Sequence, residues 1–168
     1  YIFDRFTAHY QEQGISTEVI QAVRAISAFD ALDFDARIQA VTEFVQQPQS
    51  ENLAAANKRV SNILDKSDIN VSSQDFNAEL MQEGEEKALA NAIQTKLVEI
   101  TPLFDTGEYR LGLLSLTSLN DSINAFFDKV MVNSDDPALK KNRLALLATL
   151  REMFTQVADI ALLARAKD

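Results

Sequence analysis

The sequence predicts an all-α fold, a helical bundle, and three observations carry that prediction. Apolar residues recur at three- and four-residue spacing along almost the whole chain. No stretch sustains the period-two alternation with β-branched enrichment that marks a strand. The periodic segments are bounded by helix punctuation: glycine after a last turn, Ser or Asp before a first turn, proline inside it. At 168 residues, 46% of them hydrophobic and 24% charged, with 4 Gly, 3 Pro and neither Cys nor Trp, the chain can bury one real core or two small packed subdomains.

The first helix is expected over Tyr1 to Gln13, with Ile2, Phe3, Phe6 and Tyr10 on one face and Gly14 as its stop. Ser16 caps a second helix running from Thr17 to about Ala28. A third begins at Asp33 or Asp35, buries Ile38, Val41, Phe44 and Val45, and ends before Pro48. Pro48 opens a fourth that reaches Leu64. Residues Asp65 to Glu86 hold seven acids and one lysine, and their first part is rich in Ser, Asn and Asp, so a solvated connector is expected there. The next helix is expected from Gln74 to Glu99, bent at Gly84, with Phe76, Leu80, Ala88, Leu89, Ala92, Ile93, Leu97 and Ile100 inside. A Leu-rich helix from Glu108 to Leu119 follows, then a capping turn at Asn120-Asp121-Ser122 and a helix bearing Ile123, Phe126, Phe127 and Val130. Ser134-Asp135-Asp136-Pro137 starts a long last helix that ends near Ala164. The expected division is a lead-in over residues 1–70 packed on a bundle over residues 71–168.

Charge and composition exclude several functions. Sixteen basic against twenty-five acidic residues give a net charge of −9, so nucleic acid cannot be held through bulk charge and needs a local patch. The longest apolar runs, Leu144 to Ala148 and Ile160 to Ala164, fall far short of the roughly 20 residues of a membrane helix. The absence of cysteine fits a reducing compartment and removes thiolate chemistry. The chain opens on an amphipathic pattern without an initiator Met, so a piece of a longer protein is expected, and the expected localisation is cytoplasmic. His9 is the only histidine, which rules out a two-histidine zinc site or paired Glu-x-x-His motifs within one chain. It is expected at the surface. Gly107 to Gly112 has the spacing of a phosphate loop without the following Lys and Ser/Thr, and Glu85 and Glu86 read as solvated acids.

Two places depart from plain amphipathic helix. In the fourth helix Leu53, Ala56, Val60, Ile63 and Leu64 form the buried stripe, Lys58, Arg59 and Asn62 cluster opposite, and Asn57 falls on the buried edge. Cations and amides on one face suit phosphate and base contacts, although a solvated face has the same composition. In the last helix Pro137 to Arg151 carries Lys140, Lys141, Arg143 and Arg151 and no acid. Arg143 lies in line with Leu139, Leu146, Leu150 and Val157, so it is either a paired core arginine or the ligand-binding end of the stripe.

These segments also carry a resemblance. Phe126-Phe127-Asp128-Lys129-Val130-Met131-Val132-Asn133, Asn142-Arg143-Leu144-Ala145-Leu146-Leu147 and Val157-Ala158-Asp159-Ile160 resemble the carboxy-terminal end of the β subunit of bacterial-type heterotetrameric glycyl-tRNA synthetases. Ala55-Ala56-Asn57-Lys58-Arg59-Val60-Ser61-Asn62-Ile63-Leu64 and Leu32-Asp33-Phe34-Asp35-Ala36-Arg37 resemble the same family further upstream. One departure is Asn120-Asp121-Ser122, where the family often has a proline.

The resemblance implies an anticodon-binding helical bundle similar to that of arginyl-tRNA synthetase. It implies glycine tRNA as partner through its anticodon loop, and the synthetase α subunit as partner of the parent protein, with no DNA and no membrane. ATP and magnesium would be used by the parent enzyme, and this part would hold no cofactor and catalyse nothing alone. Lys58, Arg59 and Asn62 are the first candidates for RNA contact, and Lys140, Lys141 and Arg143 the second. Acids between Asp65 and Glu86 are expected to matter much less. The competing reading is a helical module that docks a partner subunit through an apolar groove.

Overall fold

The computed structural model describes residues 2–26 and 31–163, and among them it contains helices and turns but no strand. The expected inner residues Ile2, Phe3 and Phe6, and the ends expected at Ala28 and Ala164, lie outside the described residues or side chains.

Helix α1 (Ile2–Glu12) stops where glycine was expected to stop it. Gly14 takes φ +84°, its N–H bonds the Gln11 carbonyl at 3.0 Å, and the Ile15 N–H reaches back to Tyr10 at 3.0 Å. That pair of bonds closes the open carbonyls of the last turn. Ser16 Oγ accepts from the Val19 N–H and opens α2 (Thr17–Arg24), which buries Val19, Ile20, Ala22 and Val23. Helix α3 (Ala31–Phe44) begins two residues before Asp33 and buries Phe34, Ile38, Val41 and Phe44. Val45 falls just past its end and is 39% exposed, not inside as expected. Helix α4 (Ser50–Lys66) starts two residues after Pro48, where Ser50 Oγ donates to the Gln47 and Val45 carbonyls and ties the turn down.

Between Asp65 and Glu86 the expected connector is present and its residues up to Glu85 are exposed or half-buried, but it is longer than expected and partly ordered. The segment is a folded strap with 3₁₀ turns at Ser73–Asp75 and Ala78–Leu80, laid along the last long helix. Helix α5 therefore spans Gly84–Asp105, not Gln74 to Glu99, and Phe76 and Leu80 are not on it. Gly84 opens this helix instead of bending it. The Glu86 carboxylate accepts from the Glu83 N–H, which supplies the start signal. The helix also runs through Pro102 into its last turn; the ring removes the bond to the Val98 carbonyl, on a face where Val98 itself is 77% exposed. Gly107 at φ +79° then ends it with the same bond pattern as Gly14.

Helix α6 (Tyr109–Leu116) runs through a 3₁₀ turn at Thr117–Leu119 into α7 (Asn120–Lys129). Asn120-Asp121-Ser122 is not a capping turn: Asn120 is buried inside the first turn of α7, and no side chain caps that helix. In α6 the missing Cβ of Gly112 leaves room for the Phe104 ring, so the phosphate-loop spacing reflects a helix stop and a close helix contact.

Helix α8 (Pro137–Phe154) opens on Asp136 Oδ1, which accepts from the Ala138 and Leu139 N–H groups. It ends ten residues short of Ala164. Thr155 Oγ1 donates to the Arg151 carbonyl, Arg37 Nη1 binds the carbonyls of Gln156 and Val157 at 2.7 and 2.8 Å, and the Asp159 N–H bonds the Ala22 carbonyl. Turning the chain here buries Val157, Ala158 and Ile160 and sends the final 3₁₀ turn (Ile160–Leu163) across α2 and α4. Helix α3 packs on α6, α5 on α6 and α7, and α4 on α7 and α8. One buried cluster runs from Tyr10 to Ile160 and takes residues from both sides of position 70.

Candidate nucleic-acid interface

Helix α4 buries Leu53, Ala54, Ala56 and Val60, with Ile63 and Leu64 half-buried, and this orientation sets its polar side chains on two flanks. Asn57, on the inner edge, donates to the Leu53 carbonyl at 2.9 Å and is buried, as its position predicted. On one flank the Arg59 guanidinium lies 4.1 Å from the centre of the Phe127 ring. The pair borders a cleft of about 520 Å³ between α4, α7 and the start of α8, lined also by Ile63, Lys66, Asp68, Val132, Asn133 and Lys140. Two of the candidate sets therefore meet here, Arg59 from α4 and Lys140 from α8.

Lys58 and Asn62 lie on the other flank. They line a smaller hollow of about 360 Å³ with Asp65, Arg151, Thr155 and Asp159. Both are exposed, and among the described residues neither Lys58 nor Lys66 enters an ion pair.

Lys140, Lys141 and Arg151 of α8 each meet an acid from the end of α4 or from the strap. Arg151 pairs with Asp65 at 3.2 Å, Lys140 with Asp68 at 3.5 Å and Lys141 with Asp75 at 3.8 Å. The Asn77 N–H donates to Asn142 Oδ1 at 2.6 Å and fastens the strap's second turn. Asp68 is held below the usual carboxylate range by its own backbone N–H and then by Lys140; Asp75 is held there chiefly by the Ser72 N–H. Both stay ionised across the neutral range and pair with candidate cations of α8.

Arg143 is turned inward. It is 5% exposed, Nε and Nη2 donate to Glu86 Oε1 at 3.1 and 2.8 Å, and Nη1 donates to the Met131 carbonyl at 2.6 Å. Every nitrogen is engaged, so the expectation of an RNA-contacting Arg143 gives way to a core ion pair. Glu86 is 1% exposed, which corrects its reading as a solvated acid. His9 is exposed beside Gln13, as expected.

A second polar network lies away from the cleft. Arg37 Nε binds Asp33 Oδ2 at 2.7 Å, the Tyr109 hydroxyl donates to Asp33 Oδ1, and the Arg37 guanidinium lies 4.6 Å from the Tyr109 ring centre. Burial alone would raise Asp33, but the Tyr109 hydroxyl and the Arg37 charge together hold it below its ordinary value. Phe127, Lys66, Asp68 and Asn133 are among the cleft residues that sequence reasoning did not single out as site residues. Phe127 was legible only as an apolar position, since its partner Arg59 is remote in sequence. Among the described residues there is no cluster suited to a metal ion, and no helix is long and apolar enough to cross a membrane.

A family model described as the DALR anticodon binding domain matches residues 53–162. The chain is 47% identical over 166 residues to the glycine–tRNA ligase beta subunit of Marinobacter nauticus, covering 99% of this chain and 24% of that protein. It is 50% identical over 163 residues to the protein of that name from Glaesserella parasuis, and 47% identical over 163 residues to the one from Vibrio campbellii. In both cases 97% of this chain is covered, against 24% and 23% of the relative. The chain thus spans about a quarter of the length of the curated relatives it matches.

Proposed function

The chain belongs to the DALR anticodon-binding domain family, and from that premise we propose that it binds the anticodon region of glycine tRNA for a glycine–tRNA ligase. In this reading it is one part of a larger beta subunit that works with an alpha subunit. The observation that carries the reading is the cleft beside α4, where a guanidinium stacked on an aromatic ring stands next to Lys66 and Lys140. Single-stranded RNA is held by this combination, with bases on planar side chains and phosphates on cations. Glycine codons begin with two guanines, so the anticodon offers two adjacent cytosines in a loop whose edges are free to be read.

The site residues divide by exposure. Lys58, Arg59, Asn62, Lys140 and Lys141 face the RNA in this proposal, and Arg143 supports them from inside. ATP and magnesium belong to the chemistry of the parent ligase and have no seat in this part. The chain acts in the cytoplasm, where its tRNA is. A role as a docking module for a partner subunit is not favoured.

The test is binding of transcribed glycine tRNA against the same transcript with its two anticodon cytosines replaced. Loss of roughly tenfold or more on replacement is expected, and equal binding would overturn the reading. Lys58→Ala and Arg59→Ala should each weaken binding and flatten the log–log salt dependence by about one for each lost phosphate contact.

A further inference from the structure

We propose that the cleft between α4, α7 and the start of α8 takes one unstacked cytosine nucleotide, its base laid on the outer face of the Arg59 guanidinium and its exocyclic amine given to Asp68. This deepens the anticodon reading and rests on it.

Three features converge on that occupant. The Arg59 guanidinium is already held over Phe127 at 4.1 Å, so one planar face is fixed by the ring while the side chain as a whole stays exposed. A base laid on its other face forms a ring–guanidinium–base stack. The cleft, at about 520 Å³, falls within the roughly 300–1,000 Å³ of small-ligand sites and has an apolar wall at Ile63 and Val132. A paired duplex cannot offer a base edge to a cleft of this kind, so the occupant comes from a single-stranded loop. Finally, Asp68 and Lys140 stand together at the rim, with a carboxylate side chain that is 89% exposed and only loosely paired at 3.5 Å. The carboxylate accepts from the cytosine amine and repels the uracil carbonyl at the same position, while Lys140 and Lys66 are left for the flanking phosphates.

The test uses this chain with an RNA stem-loop carrying the glycine anticodon, together with stem-loops in which one cytosine is changed to uracil or made abasic. Arg59→Lys keeps the charge and removes the plane. Binding of the cytosine stem-loop should fall about tenfold, with an unchanged salt slope, and the abasic RNA should show little further loss with Arg59→Lys, because base and guanidinium form one contact. Asp68→Asn, which can donate to uracil, should reduce the cytosine-over-uracil preference several-fold. Independent, additive losses from Arg59→Lys and the abasic change, or an undiminished preference in Asp68→Asn, would overturn the pocket while leaving anticodon binding intact. No cytosine dependence in the unaltered chain would instead overturn the anticodon reading, and the pocket with it.

Discussion

The Arg143 guanidinium joins α8 to the buried Glu86 of α5 and, through the Met131 carbonyl, to the loop after α7. Removing one member of such a pair leaves the other charge buried and unmatched, at a typical cost of about 3–5 kcal/mol. Arg143→Ala is therefore expected to lower unfolding stability by that order in denaturant titration, with RNA affinity per folded molecule little changed. The paired replacement Arg143→Met with Glu86→Leu should recover much of the loss. Weaker binding by a fully stable Arg143→Ala would return this residue to the RNA face. Asp33 contributes differently. Its folded-state pKa lies below the ordinary value, so the stabilisation is complete above the unfolded pKa of about 3.9 and is lost as pH falls through the folded pKa. Asp33→Asn should flatten the fall in stability as the pH drops below the unfolded pKa of about 3.9. An unaltered acid slope would assign that pH dependence to other carboxylates.

At the scale of elements, the strap over residues 67–83 and the end of α4 carry the acids that pair with the basic side chains of α8. The ion pairs of Asp75 with Lys141 and of Asp65, at the end of α4, with Arg151 are partly or largely exposed, of a kind that contributes only about 0–1 kcal/mol each. Phosphate competes well against such pairs. Asp65→Asn combined with Asp75→Asn should leave the melting transition nearly in place, tighten RNA binding a few-fold and steepen its salt dependence, since two cations are released to the ligand. Unchanged affinity would show that Lys141 and Arg151 lie off the RNA path. The Ser72 and Asn77 N–H groups of the strap bond the side chains of Asp75 and Asn142, an alternative to the helical bonds that were expected from Gln74 onward.

For the whole molecule, the buried cluster decides what can be cut. Helix α4 contributes Leu53, Ala54, Ala56 and Val60 to the core and packs on α7, α8 and the final turn, while Arg37 of α3 holds the break after α8. A bundle of residues 71–168 alone therefore leaves those contacts open, and it is expected to show no cooperative thermal unfolding, whereas the entire chain does. A sharp, reversible transition in the 71–168 fragment would make the lead-in an independent unit.

The sequence by itself determined the helical class, the helix stop at Gly14, the cap at Ser16, the proline start of α8 and the inner face of α4, including Asn57. These are local: periodicity, a positive φ and a side-chain cap depend on neighbours within one or two turns. It also carried the family through five short segments spread along the chain. Only the tertiary structure decided where the charges go. Arg143 and Glu86 are 57 residues apart, and Lys140 and Asp68 are 72 apart. Whether such a residue is a core ion pair, a counterion or an open ligand contact depends on which helix packs beside it. The early end of α8 has the same cause, since its apolar pattern fits a continuing helix, and what turns the chain at Thr155 is the Arg37 guanidinium reaching it from α3.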